Sequence, residues 1–171
     1  MKLMKHLPIF ATLFIAISII GCSGAPHPDG LPKLYSCTIT IKQDGKPLEG
    51  AGVQLYDPTV TNRWTVSGVT NASGVAVIRT HGNFVGAPSG RFKVIVSKTV
   101  MEGGGGYDDT VPQKERKPLE PTRVYSLVGK EYTSRETTPL EIIIDSKKKS
   151  ETFDLGTAER ILIQTIKPGD I

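Results

Sequence analysis

Two cysteines and three histidines are all that the 171 residues supply. That shortage bears first on metal chemistry. A zinc centre gathers three or four Cys, His or carboxylate ligands. His6 lies in the N-terminal apolar segment and His27 in a proline-rich stretch, so His81, in RTHGNF, is the one histidine of the central region. One imidazole does not make such a centre. The Gly-x-Ser-x-Gly arrangement of a serine nucleophile is also missing, and the serines of SGVTNASG sit in turn sequence, where Ser bonds the local backbone. No Asp-x-Asp-x-Asp-Gly run marks a calcium loop, although Glu102, Asp108 and Asp109 flank four glycines. The formal net charge of +4 is too small to argue for nucleic acid.

Long apolar runs are missing too. Residues 7–20, LPIFATLFIAISII, form the longest one, and fourteen residues fall short of the roughly 20 that a membrane-spanning helix needs. The run follows MKLMK, with Lys2 and Lys5, and ends in IIGCS. A positive start, a short apolar stretch and small residues after it are the layout of a secretory signal. Gly21 and Cys22 at its end resemble the lipidation motif of bacterial lipoproteins, with Ile19 where Leu is usual and Ile20 where a small residue is usual. That resemblance implies cleavage after a signal helix at residues 1–21 and acylation, palmitate included, of Cys22. Several acyl chains, each buried CH₂ contributing about 0.8 kcal/mol, would hold the chain to a membrane of the cell envelope. Loss of Lys2 and Lys5 leaves a charge of about +2. An acylated Cys22 also leaves Cys37 without an intrachain disulfide partner, and Cys37, in YSCTITI, reads as a small apolar side chain on a strand.

After Cys22 the stretch SGAPHPDGLPK has three prolines and two glycines and reads as a tether over residues 22–33. Beyond it the chain breaks into short runs of period two. Cys37, Ile39 and Ile41 share one face, as do Val53 with Leu55, and Phe92 with Val94 and Val96. Residues 64–70, 75–80, 140–145, 151–155 and 160–166 read the same way. Seven or eight strands separated by turn signals suggest an all-β sandwich. SKKKS, between the strands at 140–145 and 151–155, reads as a hairpin tip whose lysines also discourage edge pairing. Val124, Leu127 and Val128, three and four apart, allow one helical turn within 123–132. Residues 102–121 carry four consecutive glycines and three prolines and read as a long loop, the expected contact surface.

IKQDGKPLEGAGVQLYD, then SGVTNASGVAVIRT, then GAPSGRFKVIVSK resemble the carboxypeptidase-regulatory-like, transthyretin-like domains. YTSRETTPLEIIIDSKKKSETFDL resembles the end of small lipoproteins of that kind. The resemblance implies a Greek-key β-sandwich of about seven strands over residues 34–158, with residues 159–171 as a tail or edge strand. It implies a structural or binding role without catalysis, and no cofactor. Two enzyme families on related scaffolds are set aside by their residues. Hydroxyisourate hydrolases end in Tyr-Arg-Gly-Ser, where this chain ends KPGDI, and intradiol dioxygenases need two His for iron. Asp44-Gly45 marks a tight turn with positive φ, and Gly50 a second bend. Partners expected are the membrane, through the anchor, and an envelope protein or a glycan. Candidate ligand contacts are Trp64, Tyr107, Asp108 and Asp109, with Trp64 weighed between a sugar-stacking face and a place in the core. A carbohydrate- or metal-binding module is the alternative reading.

Overall fold

Alternation of apolar and polar side chains decides which face of each strand is buried, and here it yields an all-β chain with several antiparallel sheets. The computed structural model describes residues 28–57, 63–105, 110, 112, 114, 119–147, 149–157 and 160–168. The signal segment, Cys22, His27, Tyr107, Asp108 and Asp109 lie outside these residues.

The strands are β1 (Leu34–Tyr35), β2 (Thr38–Gln43), β3 (Lys46–Pro47), β4 (Gly52–Tyr56), β5 (Val66–Val69), β6 (Val75–Val77), β7 (Arg79–Thr80) and β8 (Phe84–Val85). They continue with β9 (Ala87–Pro88), β10 (Gly90–Ser97), β11 (Thr99–Glu102), β12 (Thr122–Ser126), β13 (Glu141–Ile144), β14 (Ser150–Asp154) and β15 (Ile161–Ile166). One sheet has the order β13-β10-β4-β5-β7-β8. A second is built on β2, which pairs with β14 on one side and with β3 and β6 on the other. Ile39 and Ile41 of β2 meet Val53, Leu55, Phe92, Val94, Val96, Ile142 and Ile144 in one buried cluster. This arrangement is consistent with a β-sandwich. Each fully buried Val, Leu, Ile or Phe contributes about 1.5–3 kcal/mol relative to exposure. A three-stranded sheet, β11-β12-β15, extends from the end of β10, and β1 pairs with β9.

The strand pieces outnumber the seven or eight expected because several runs change partners midway. VAVIRT is the clearest case. β6 pairs with β2, whereas β7, one residue later, pairs with β5 in the other sheet. Ile78 is the hinge: its N–H donates to the Cys37 carbonyl and its carbonyl accepts from Gly86. The face carrying Ala76, Ile78 and Thr80 is the buried one.

Three further expectations are corrected in whole or in part. SKKKS is not a hairpin tip. β13 lies against β10, while β14 runs parallel to β2, so the lysine segment crosses from one sheet to the other. A short helical turn does form within 123–132, at Lys130–Tyr132 as a 3-10 turn, but not on the residues whose spacing suggested it, since Thr122–Ser126 is strand. The end of the tether is docked. Leu31 is buried, and the Arg63 guanidinium donates to the Asp29 carbonyl at 3.1 Å.

The turn signals carry out the roles their residues suggest. Asp44 and Gly45 have φ of 51° and 71°, and Gly50 has φ of 67°. Asp154 of β14 caps the first turn, its Oδ2 accepting from the Gly45 N–H at 3.0 Å.

Candidate functional site

Inward residues of β4, β5 and β10 fill the core, so their outward partners define an open face. In register across it lie Ile95, Gln54, Ser67, Arg79 and Val85, one from each of five neighbouring strands. The next row holds Ser97, Gly52 and Val69. Gly52 has no side chain to fill this row, and a Cβ there would meet Ser97 Oγ at 3.2 Å. A shallow groove of about 350 Å³ results, lined by Gly52, Gln54, Thr65, Ser67, Ile95 and Ser97 among others. A second, of about 400 Å³, shares Ser67, Gly68 and Val69 and reaches Val75, Val77 and Arg79. Gly68 is fixed by packing: the Val77 carbonyl oxygen lies 2.7 Å from where its Cβ would stand.

Among the described residues the chemistry of these grooves is amide, hydroxyl and short aliphatic, with Arg79 as their one cation and no carboxylate. Arg79 donates weakly to the Asn83 carbonyl at 3.4 Å. Such a lining suits a neutral polar ligand laid along the sheet better than a divalent cation, whose strongest protein ligands are carboxylate oxygens. Among the described residues no three His, Cys, Asp or Glu side chains gather in a way that would hold a metal.

Trp64 stands apart from both grooves. It is half-buried, outside the core cluster, and so does not fill the inter-sheet place weighed for it. His81 meets its ring edge-on, centroids 5.0 Å apart at 74°, and the Arg63 guanidinium lies 5.3 Å from its centroid. His81 is exposed at the end of β7 with φ of 52°. Cys37 is 1% exposed.

Charged groups cluster elsewhere on the surface. Glu141 of β13 receives Lys93 Nζ at 2.8 Å and Arg91 Nη1 at 3.1 Å, and these two cations hold its carboxyl below the usual range. The Ser134 hydroxyl and then Arg135 hold Glu136 at about 2. Arg135 also covers the Tyr56 ring at 4.8 Å.

Four buried polar side chains are committed to backbone. Thr80 Oγ1 donates to the Gly86 carbonyl, Thr138 Oγ1 to Val94, Ser126 Oγ to Val128 and Gln43 Nε2 to Leu127. Thr138 therefore accounts for the TPL run: it clamps β10 while Leu140 packs on the core.

Of the candidate ligand contacts named from sequence, only Trp64 lies within the described residues, and Gln54, Ser67, Ser97 and Arg79 were missed. Their signal was present as the polar half of each alternating strand, where only the apolar half was read. No family model, curated protein or solved structure matches this chain.

Proposed function

We infer that the chain is a non-enzymatic lipoprotein of the cell envelope, anchored through Cys22, whose transthyretin-like Greek-key β-sandwich serves as a binding or structural module. The observation that carries the binding role is the open outer face of the six-stranded sheet. Its polar groups point into two grooves, whereas the buried hydroxyls named above are spent on backbone carbonyls. Contact through residues 102–121 was the expectation from sequence, and Tyr107, Asp108 and Asp109 lie outside the described residues. The sheet face is taken as the contact surface on the strength of those two grooves.

The absence of a carboxylate among the described lining residues favours a glycan over a metal ion as the bound class. Hydroxyl and amide side chains match sugar hydroxyls, and the flat aliphatic rim of Ile95 and Val69 matches the apolar face of a pyranose. Thermal shift across envelope glycans and divalent ions tests this, because a ligand that binds only the folded chain raises the midpoint. A rise with one glycan, abolished by Ser67→Arg, supports the reading. A rise with a divalent ion that Ser67→Arg leaves intact overturns the glycan assignment. Cys22→Ser should release the protein from membranes, and retention would overturn the anchor.

A further inference from the structure

The lysine segment at 145–150 acquires a setting from its crossover. β13 ends at Ile144 opposite Gly90, and β14 begins at Ser150 opposite Thr38. The Thr38 N–H donates to the Lys149 carbonyl at 2.9 Å, and the Lys147 N–H donates to Asp145 Oδ1 at 2.7 Å. The segment is thereby held against the start of β2. The N-terminal segment arrives at that same end. Lys33 Nζ lies 5.4 Å from the Tyr35 ring centroid, on the strand that leads into β2. Arg63, bound to the Asp29 carbonyl, belongs there too. It packs on Trp64 beside His81, at the end of β7, and the preceding β6 pairs Val77 with Thr38.

Lys33, Arg63, Lys147 and Lys149 are all exposed. Lys148 adds a further positive charge by sequence. Among the described residues the acids at this end are Asp29, Asp57, Asp145 and the half-buried Glu151, which stands opposite Ile39. Asp57 is buried, and Asp145 is engaged with the Lys147 backbone.

Chain length sets how far this end can stand from a bilayer. Six Cα–Cα steps lead from Cys22 to Pro28, the first described residue, and fully extended they reach about 21 Å. From Ile20, the last residue of the apolar run, the limit is about 28 Å. That span is an upper limit; a chain folded back on itself to well under half of it allows the lysines to come within the Debye length of about 8 Å at which anionic headgroups attract them.

We propose that this end of the domain, through Lys33, Arg63, Lys147 and Lys149, binds the headgroups of anionic phospholipids and seats the sandwich on the membrane that holds its anchor. The proposal rests on the anchored reading for its biological setting, and its test does not depend on the anchor. The full chain carrying Cys22→Ser is sedimented with vesicles of phosphatidylcholine alone and with vesicles of equal phosphatidylcholine and phosphatidylglycerol. Apolar insertion by residues 7–20 acts on both vesicles, so the ratio of the two binding constants is the readout.

The expected ratio is about tenfold or more at low salt, collapsing toward one at high salt. Lys147→Glu with Lys149→Glu should bring it close to one. Lys46→Glu with Lys130→Glu, exposed lysines at the opposite end, should leave it unchanged. Melting midpoints equal to that of the parent establish that both double variants are folded. A parent ratio near one, or an equal fall in both double variants, overturns the proposal. Release of the Cys22→Ser chain from native membranes is a separate outcome and bears on the anchor alone.

Discussion

Thr70 Oγ1 donates a hydrogen bond to the Leu48 carbonyl at 2.6 Å and accepts one from the Ala51 N–H at 2.8 Å. One buried hydroxyl thus fastens both sides of the KPLEGA bend to the start of the next turn. Thr70→Val keeps the shape and strands both partners without a bond. Buried groups left unsatisfied cost about 1–3 kcal/mol each. Urea denaturation should therefore show a loss of about 2–4 kcal/mol, and Thr70→Ser, which keeps the hydroxyl, should lose clearly less. Equal losses in the two variants would mean that packing of the methyl, not the clamp, is what matters.

Gly74 and Gly45 separate two reasons for glycine. Both have positive φ, 73° and 71°. A Cβ on Gly74 would stand 2.5 Å from the Ile41 carbonyl oxygen and 3.1 Å from Pro47 Cα, whereas one on Gly45 would meet nothing within 4 Å. Gly45→Ala should cost only the left-handed backbone penalty, about 1–2 kcal/mol. Gly74→Ala adds displacement of backbone and should cost about 3 kcal/mol or more. Chemical denaturation of the pair tests the order, and a Gly45 variant as damaged as the Gly74 variant would contradict it.

The Glu136 carboxyl is held at about 2 by the Ser134 hydroxyl and the Arg135 guanidinium, against about 4.3 in an unfolded chain. A lowered folded value means that the unfolded state takes up the proton first as acid is added. The contribution is full above about pH 4.3 and lost as pH falls toward about 2. Glu141 shifts in the same direction through Lys93 and Arg91. Glu136→Gln should be less stable than the parent at pH 7 and equal to it near pH 2, by denaturation at each pH. Because the groups are exposed, added salt should shrink the difference. Parallel pH profiles for the two proteins would sink this assignment.

The half of the fold that depends on period two was readable from residues alone. Cys37, Ile39, Ile41, Val53, Leu55, Phe92, Val94 and Val96 are all buried. Asp44-Gly45 and Gly50 also announce their turns, since few other residues tolerate positive φ. Sheet assignment was not readable. Nothing local in VAVIRT says that the strand changes sheets at Ile78, and nothing in DSKKKS distinguishes a hairpin from a crossover. Both are decided by which distant strand offers free backbone groups. Trp64 illustrates the same limit: its size argued for the core, yet His81 and Arg63 hold it at the rim. The outer groove was hidden for another reason. Gln54, Ser67 and Ser97 are ordinary polar residues until the register of three strands sets them side by side.

The two surfaces considered for ligand contact predict opposite results from one deletion. Glu102 pairs with Arg123, so the ends of the long loop are already held together by β11 and β12. The Arg160 guanidinium reaches Glu102 and covers the Tyr125 ring at 4.1 Å, tying β15 to the same pair of strands. Replacing residues 104–120 by a short Gly-Ser turn removes chain that closes between fixed ends, and loop entropy grows only slowly with length. Stability should therefore stay within about 1 kcal/mol of the parent in urea. If the sheet face is the contact surface, the glycan-dependent rise in melting midpoint should survive this deletion and vanish in Ser67→Arg. The reverse pattern would return the binding role to residues 102–121, and unfolding on deletion would make the loop structural.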